Sequence, residues 1–499
     1  MSLPSESLLA ILREGSQDPA VTCPDDGTVV SHGELATSVH RLAGQLAGLG
    51  VRRGQRVAIV LPNGPEIVEL LLAVAALGAT AAPMNPGYTQ AEYAFYLADL
   101  DPGLLLVQAG RGADVRAAAG ERVVADVSAR PQGPPVLSVA GTPVTKEAPF
   151  EPGSDGDVAL LLHTSGTTRR PKQVPLLQRN LMASVRAIAA HYRLGPADVS
   201  YCAMPLFHVH GLIASTLAQL AAGGSVVTPR RLSPRRYWQQ ISAHRVSWVS
   251  ASPTIHTELI EHGTAAAPAI RFVRSCSSAL APALLGRLEA VYGAPVLEAY
   301  GMTEASHQMT SNPLPPAPRR PGSVGIPAGA QVRIVDRAGL DLPDGQPGEV
   351  AVRGPGLTPG YLGDPEANAE SFSGGWFRTG DRGVLEDGYL RIEGRIKELI
   401  IRGAENISPG EVEAALTAHP AVADAACFGI DDDKYGQVVA AAVVLKGEAD
   451  PAQLRERCRA SLAEFKVPKV IHVVSEIPRT PTGKIQRNLI ASRLTGRRP

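Results

Sequence analysis

The sequence lacks the features that would place it in a disulfide scaffold, on nucleic acid or at a membrane surface. Its 499 residues include only five cysteines, which are scattered, odd in number and never spaced as C-x-x-C. Such usage argues against a disulfide framework or a zinc site and favours a reducing compartment. Lysine plus arginine (48) equal aspartate plus glutamate (48), so no positive excess points to nucleic acid or a membrane as a partner.

Long hydrophobic runs and targeting segments are also missing. Apolar runs such as 67–77 and 438–445 have the length of a core helix or strand, well short of a membrane span. The apolar stretch near the start is broken by charge and too short for a signal peptide, and the last residues, TGRRP, carry no peroxisomal tripeptide. We therefore expect a cytoplasmic protein.

Up to about residue 300, short apolar runs alternate with amphipathic stretches. The run 56–61 (RVAIVL) predicts a buried strand, and 66–77 (EIVELLLAVAAL) predicts a core helix closed by Gly78. Recurring strand–helix pairs indicate an α/β architecture with helices packed on sheets. A loop rich in proline and arginine is predicted over 311–325, followed over 345–361 by the short strands and glycine turns of a small β subdomain.

After Gly394 a new set of elements begins. The sequence 408–411 (SPGE) has the pattern of a capping box opening a helix over 411–418, followed by a strand over 438–445 and a helix over 452–462. A chain of this length predicts two or three domains. We expect an α/β protein with a large lobe over 1–394, made of α/β subdomains plus a β subdomain. A hinge over 395–398 and a small mobile α+β lobe over 399–499 complete the prediction.

The segment 160–172 (LLLHTSGTTRRPK) is the first that carries chemistry. A buried strand runs into a turn of small hydroxyl residues, Thr164 to Thr168, whose N–H and hydroxyl groups can converge on a phosphate. It is not a Walker loop, because Gln173 stands where that motif needs Ser or Thr. Alone, such a turn is more often an ordinary loop.

Four further segments follow in order: 298–305 (EAYGMTEA), 375–381 (GWFRTGD), 389–401 (YLRIEGRIKELII) and 478–487 (PRTPTGKIQR). Taken singly, Glu304, Asp381, Lys397 and Lys484 have ordinary explanations as helix-start, turn or surface charges. Together, the five segments resemble the adenylate-forming superfamily of acyl-CoA synthetases, luciferases and peptide-synthetase adenylation domains. The resemblance covers about residues 25–492.

The resemblance implies an ATP site with Mg²⁺ in the large lobe. Tyr300 would lie near the adenine, Glu304 would ligate Mg²⁺, and Asp381 would accept from the ribose hydroxyls with Arg395 close by. The residues expected to bind nucleotide are Thr164, Ser165, Gly166, Thr167, Thr168, Lys172, Glu298, Ala299, Tyr300, Gly301, Met302, Thr303, Asp381 and Arg395.

The same resemblance implies two half-reactions. Lys484, carried on the small lobe, would stabilise the charge that develops when a carboxylate attacks the α-phosphate of ATP. A swing of the lobe about Lys397 would then withdraw Lys484 and present Gly403 to the pantetheine of coenzyme A, whose thiol attacks the acyl-adenylate. ATP, coenzyme A and a small carboxylic acid are thus the expected partners.

Three positions depart from the superfamily pattern. Arg169, Gln173 and Ala404 stand where glycine is usual. The arginine could add a phosphate contact or face solvent. Gln173 could force another backbone path and weaken ATP binding, which leaves a non-catalytic nucleotide-binding homologue as one alternative.

A finer resemblance is to oxalate–CoA ligases of the plant and fungal type, carried by 163–172 (HTSGTTRRPK), 205–212 (PLFHVHGL), 274–282 (RSCSSALAP), 298–315 and 394–413. It implies that His208 acts in the acyl site and that the second carboxylate of a short diacid meets polar donors. The candidate donors are Ser275, Ser277, His208, His210 and His307. Alternatively, the two serines cap a strand turn, Arg274 pairs with a surface acid and the histidines are packed aromatic gates. A medium-chain fatty-acid or aryl-acid ligase is the corresponding functional alternative.

Overall fold

A computed structural model gives the architecture for residues 6–130, 133–164, 171–263, 269–403, 405–432, 434–480 and 483–495. Within these residues the strands form four sheets, of nine, eight, five and five strands. The first two sheets and the helices between them build the main core of the large lobe. The third forms a β subdomain that extends beyond the predicted 345–361 on both sides, and the fourth belongs to the small lobe.

The nine-stranded sheet is parallel through its centre and has antiparallel edges. Its strands, in spatial order, are β17 (Ile326–Pro327), β16 (His307–Ser311), β15 (Val296–Met302), β14 (Phe272–Ser275), β13 (Trp248–Ala251), β11 (Val199–Cys202), β12 (Ser225–Val227), β1 (Pro19–Cys23) and β2 (Thr28–Ser31).

The eight-stranded sheet has the order β10 (Gln173–Leu177), β9 (Val158–His163), β4 (Thr80–Pro83), β3 (Arg56–Val60), β5 (Leu104–Gln108), β6 (Val123–Ser128), β7 (Val136–Val139) and β8 (Thr142–Pro143). Strand β3 is the predicted 56–61 strand. Its near-continuous apolar sequence suits a parallel strand covered on both faces.

The helices of the large lobe are α1 (His32–Gly48), α2 (Pro65–Ala76), α3 (Gln90–Leu100), α4 (Ala113–Ala118), α5 (Gln178–His191), α6 (Ala218–Ala221), α7 (Pro234–Ala243), α8 (Pro253–Glu261), α9 (Pro282–Tyr292) and α10 (Pro365–Ser371). Helices α1, α2 and α5 contribute Leu35, Leu70 and Leu181 to one core shared with both large sheets. Helix α2 is the predicted 66–77 helix, and it is buried along its whole length.

The β subdomain pairs β18 (Gln331–Val335), β19 (Gly348–Arg353), β21 (Trp376–Glu386) and β20 (Phe372–Ser373), with β22 (Tyr389–Arg395) added to β21. The chain leaves β22 through a short 3₁₀ helix, Ile396–Glu398, and enters the small lobe. That lobe has its own core, formed by residues from Ile400 to Ile471.

The small lobe consists of β24 (Glu405–Ile407), β23 (Ile400–Arg402), β26 (Gly436–Leu445), β25 (Val422–Asp432) and β27 (Val470–Val473), with α11 (Pro409–Thr417), α12 (Pro451–Arg459) and α13 (Arg487–Thr495). The α/β class, the large lobe and the smaller α+β lobe are confirmed. None of the helices in the described part of the chain combines the length and apolar character of a membrane span.

Candidate active site

Glu304 lies where β15 gives way to a short 3₁₀ helix, Thr303–Ala305. Its side chain is nearly buried, at 7% exposure. Oε1 accepts a hydrogen bond from the hydroxyl of Tyr361 at 2.9 Å. A buried carboxylate with a neutral partner keeps oxygen lone pairs for a hard cation, and Mg²⁺ is typically held by one or two carboxylates plus phosphate oxygens. Over the described ranges no cluster of three or more His, Cys, Asp or Glu side chains could hold a metal.

Asp381 joins the main core to the β subdomain. It accepts hydrogen bonds from the hydroxyl of Tyr300 and from Nε of Arg395, the latter at 2.7 Å. Asp381 and Arg395 are register partners on β21 and β22, which explains why two residues fourteen positions apart meet. The predicted nucleotide contacts Tyr300, Asp381 and Arg395 therefore form one connected group.

The remaining residues of 298–303 form the wall of this region. The carboxylate of Glu298 accepts from the N–H of Gly322 at 2.8 Å, and burial raises the pKa of Glu298 to about 7. Ala299 is buried, while Met302 and Thr303 are half-buried. Gly301 abuts His307 so closely that an added Cβ would lie 1.9 Å from its carbonyl oxygen, so only glycine fits there.

Only the two ends of the predicted phosphate loop are described. The N–H of Thr164 donates to the carbonyl of Lys172 at 2.9 Å, and the N–H of Lys172 donates to Oγ1 of Thr164 at 3.3 Å. Nζ of Lys172 lies 4.2 Å from the ring centroid of Tyr361, next to Glu304. Ser165, Gly166, Thr167, Thr168 and Arg169 lie outside the described residues.

The backbone of Gln173 is part of a regular β-strand. It pairs with His163 in the antiparallel register of β10 and β9. Its Nε2 donates to both Oδ2 and the main-chain O of Asp99, at 2.6 and 2.7 Å, and His163 Nε2 lies 2.9 Å from the same Oδ2. The side chain in place of the usual glycine therefore ties β10 to the end of α3.

Lys484 is brought to the large lobe by a tight turn of the small lobe. The preceding residue, Gly483, has φ +85° and accepts at its carbonyl from Oγ1 of Thr254, at the start of α8, at 3.4 Å. Lys484 interacts electrostatically with Asp381 and Glu304, as well as Arg395, and burial lowers its pKa. The structure thus brings the predicted lysine to the predicted nucleotide residues.

The region around Lys397 links the lobes. Lys397 is exposed in the 3₁₀ helix that follows β22. The next residue, Glu398, accepts from Arg487 Nη1 at 3.0 Å, and Arg487 also bonds both oxygens of Glu413 at 2.8 Å. Arg487 thereby fixes the residue directly after Lys397 to the small lobe.

Gly403 stands in the hairpin between β23 and β24. Its N–H donates to the carbonyl of Tyr435 at 2.7 Å, and its φ is +61°. An added Cβ would meet no atom within 4 Å, so the turn conformation, rather than crowding within this structure, requires glycine here.

The predicted capping box at Ser408 does not form. Ser408 is the N-cap residue of α11, but its hydroxyl makes no cap bond and instead donates to the main-chain O of Glu393 in β22. Glu411, the other half of the pattern, pairs with Lys466 at 2.7 Å. The local pattern is overridden by contacts outside the first turn of the helix.

Three histidines line the predicted acid site. His208 and His210 stand at the start of a π-helix, His210–Leu217, an irregular form frequent at functional sites. The ring of His210 stacks on that of His307, with centroids 5.0 Å apart, and its Nδ1 lies 2.9 Å from Oγ of Ser277. His208 and His307 both interact with the charge of Lys484.

All three histidines are neutral near pH 7. Burial is the largest cause, followed for His208 by the charge of Lys484, and it lowers the pKa of His208 to about 3. Burial also holds the pKa values of His210 and His307 well below the usual range, reinforced by neighbouring histidines and by Arg274. Neutral imidazoles can donate one N–H each to an anion.

Arg274 is fully buried on β14, so the alternative in which it pairs with a surface acid is wrong. Its hydrogen bonds within the described residues all go to neutral groups. A buried cation without a carboxylate partner is costly, and an anion bound nearby would offset part of that cost.

The two serines after Arg274 differ. Ser277 is half-buried, so its hydroxyl can reach a bound acid, and its Oγ is hydrogen-bonded to His210. By the alternation of β14, Ser275 faces the opposite side from Arg274, and its buried hydroxyl has no partner among the described residues. Ser277 (φ +79°) and His307 (φ +96°) have left-handed backbones, a strain that clusters at functional sites.

Sequence reasoning missed Tyr361, the partner of Glu304, and the central place of Arg274. Tyr361 ends the predicted β segment 345–361, outside the segments predicted to carry chemistry, and nothing in its neighbourhood signals a contact 57 residues away. The position of Arg274 within a short apolar strand (FVRS) is the sequence feature that could have predicted its burial.

Comparison with known families agrees with this geometry. Residues 11–362 match the AMP-binding enzyme family, and residues 411–484 match the AMP-binding enzyme C-terminal domain. The chain therefore belongs to the AMP-binding enzyme family.

Among individual proteins, the chain is 43% identical to an oxalate–CoA ligase of Arabidopsis thaliana, over 93% of each chain. It is 40% identical to a sulfoacetate–CoA ligase of Cupriavidus necator, over 94% of this chain and 93% of the relative. Among solved structures it resembles ATP-bound MatB from Rhodopseudomonas palustris, with 30% identity, a TM-score of 0.88 and coverage of 98% of both chains.

Proposed function

We propose that this protein is an ATP-dependent carboxylate–CoA ligase that acts through an acyl-adenylate and then a thioester, with oxalate or a similarly short diacid as its acid. Family membership and the similarity to two CoA ligases support the reaction type. The observation that supports a short diacid is the fully buried Arg274, which lies beside the neutral imidazoles of His210 and His307. The chain's lobes would be 1–394 and 399–499, joined at 395–398.

The nucleotide would bind between Tyr300, Asp381 and the phosphate-loop ends. Asp381, held by Arg395, would accept from ribose hydroxyls, and Glu304 would hold Mg²⁺ together with phosphate oxygens. The ion would supply charge neutralisation for the phosphates when bound. Tyr361 contributes by bonding one oxygen of Glu304, which orients the carboxylate.

Lys484 would drive the first half-reaction. Attack of a carboxylate on the α-phosphate brings two anions together, so the step needs positive charge where the new bond forms. Lys484 interacts with the charges of Glu304 and Asp381 and also affects His208 and His307, so it lies near both the nucleotide residues and the acid residues. Its position suits contact with both reactants.

The second half-reaction needs a path for the thiol of coenzyme A, which Lys484 and its turn would obstruct. A swing of the small lobe about Lys397 would break the Thr254–Gly483 contact and withdraw the lysine. Because Arg487 ties Glu398 to the small lobe, the backbone change would fall at or before Lys397. The hairpin at Gly403 would then approach the pantetheine.

The acid site favours a small, doubly anionic substrate over a fatty or aryl acid. A second carboxylate entering a buried site must exchange water for donors. The N–H and O–H groups of His208, His307 and Ser277 can supply them beside the charge of Arg274. An alkyl chain would leave these buried polar groups unpaired, which is why we disfavour octanoate and benzoate.

Pyrophosphate release with ATP, Mg²⁺ and coenzyme A tests the proposal. We expect kcat/KM for oxalate to exceed that for malonate and sulfoacetate, and to exceed that for octanoate and benzoate by about a hundredfold or more. Faster turnover of octanoate or benzoate would overturn the diacid assignment. ATP binding with no pyrophosphate release for any acid would instead support the non-catalytic alternative.

The protein would act in the cytoplasm. All five cysteines are unpaired and buried, as is usual where thiols stay reduced. The balanced charge gives no support for a nucleic-acid or membrane partner.

A further inference from the structure

The guanidinium of Arg274 uses all five of its N–H groups within the protein. Nε donates to the hydroxyl of Tyr192 at 2.8 Å, and the four remaining N–H groups go to Ser250 Oγ (3.0 Å), His210 Nε2 (3.3 Å), His307 Nε2 (3.0 Å) and Gln308 Oε1 (3.1 Å). No N–H is left for a ligand. Arg274 therefore acts on the acid site through the groups that it holds.

These bonds fix the proton positions of two histidines. Arginine can only donate, so His307 Nε2 must accept and its proton must be on Nδ1. The same holds for His210. Nε2 of His210 accepts a hydrogen bond from Nη1 of Arg274 and lies 2.7 Å from Oγ of Ser250. Its proton is therefore on Nδ1.

The fixed tautomers determine which hydrogen-bond donors are available to the acid site. Nδ1–H of His210 donates to Oγ of Ser277 at 2.9 Å, which frees the hydroxyl proton of Ser277 to donate onward. Nδ1 of His307 has no partner among the described residues and lies beside Gly301, where an added Cβ would be 3.1 Å away. His208 accepts the N–H of His210 at its own Nδ1 (3.3 Å), so its proton is on Nε2.

We propose that Arg274 is a positioning residue for acid specificity: it locks His210 and His307 in the Nδ1–H tautomer, so that Ser277 and His307 both present donors to the distal carboxylate of the acid. The proposal rests on the proposed diacid function for its substrate, but the tautomers themselves do not depend on it. A lysine could not replace the arginine, because a single ammonium with three protons cannot reach two imidazoles, two hydroxyls and an amide in one plane.

One variant tests the role by kinetics. Arg274→Lys keeps the charge and removes the planar fork. We expect KM for oxalate to rise about ten- to a hundredfold while KM for ATP changes less than about threefold.

Arg271→Lys is the matched control. Arg271 directly precedes β14, is partly exposed and pairs with Asp198 at 2.6 Å without touching the histidines. We expect its oxalate KM to stay within about threefold of the parent. Equal loss of ATP and acid affinity in Arg274→Lys would mean that Arg274 is merely structural, and would overturn the proposal.

The spectroscopic test needs no substrate. In protein labelled with ¹⁵N-histidine, the signals lost in His210→Gln and His307→Gln identify the two rings, and long-range ¹H–¹⁵N spectra of the parent should show both as neutral Nδ1–H tautomers. Arg274→Lys should shift them toward the Nε2–H form. Nε2–H rings in the parent protein would overturn the proposal, whereas failure to turn over oxalate with Nδ1–H rings intact would count against the diacid function alone.

Discussion

The hydroxyl of Ser408, the N-cap residue of the small lobe's α11, donates to the main-chain oxygen of Glu393 in the large lobe. The hydroxyl of Ser408 thus forms a hydrogen bond between the two lobes, and α11 has no side-chain cap. A swing about Lys397 would separate the two groups and free the hydroxyl to cap α11. The same side chain would then favour a different bond in each half-reaction.

Substitution of Ser408 should change the balance between the half-reactions. Ser408→Ala loses the bond to Glu393 and should slow adenylate formation about two- to tenfold, the worth of one hydrogen bond. Ser408→Asp should slow adenylation further, because a carboxylate can cap α11 but is repelled by the carbonyl of Glu393. Oxalate-dependent pyrophosphate exchange reports the first half-reaction, and thioester formation from preformed adenylate reports the second.

Ser461→Ala, at an exposed serine of the same lobe, is the control and should leave both rates unchanged. Equal slowing of the two half-reactions by Ser408→Asp would contradict a role in the swing.

The side chain of Gln173 should contribute to the free energy of unfolding but have little effect on the KM for ATP. Its two bonds to Asp99 are partly buried, so Gln173→Ala and Gln173→Gly should each lower the free energy of unfolding by about 1–2 kcal/mol. The loop ends are held by main-chain bonds between Thr164 and Lys172, which the side chain does not make. We therefore expect KM for ATP to stay within about twofold. A large rise in KM for ATP at unchanged stability would show instead that the glutamine shapes the phosphate loop.

Glu69 should make stability depend on pH. It is 2% exposed within α2, and burial raises its pKa from 4.5 to about 8 in the folded protein. Below pH 4.5 the carboxyl is protonated in both states. Between pH 4.5 and 8 the unfolded chain ionises while the folded protein does not, so stability falls as pH rises, by on the order of 5 kcal/mol, and levels off above pH 8.

Denaturant unfolding at pH 5, 6.5 and 8 measures this effect. Glu69→Gln should remove most of the decline, while Glu121→Gln, at an exposed glutamate, should keep it. If Glu69→Gln declines as steeply as the parent, the carboxyl is not the group responsible.

The fold class and the site segments could be predicted because each carries its signal locally. Buried strands such as 56–60 are continuously apolar, and the segments around Glu304, Asp381 and Lys484 keep a characteristic order along the chain. What the sequence could not give are the long-range partners. The capping pattern at Ser408 is a correct local signal that a tertiary bond overrides. The role of Arg274 depends on Tyr192, His210 and His307 reaching it from three other parts of the chain.

The most direct test of the account is oxalate-dependent pyrophosphate exchange by Lys484→Ala, beside Lys469→Ala, an exposed small-lobe lysine that pairs with Asp432 at 2.8 Å. We predict that Lys484→Ala loses about a hundred- to a thousandfold in exchange while it still binds ATP, because it lacks the cation that stabilises the attack on the α-phosphate. Lys469→Ala should exchange at the parental rate. Exchange by Lys484→Ala at the parental rate would contradict the assignment on which the proposed mechanism depends.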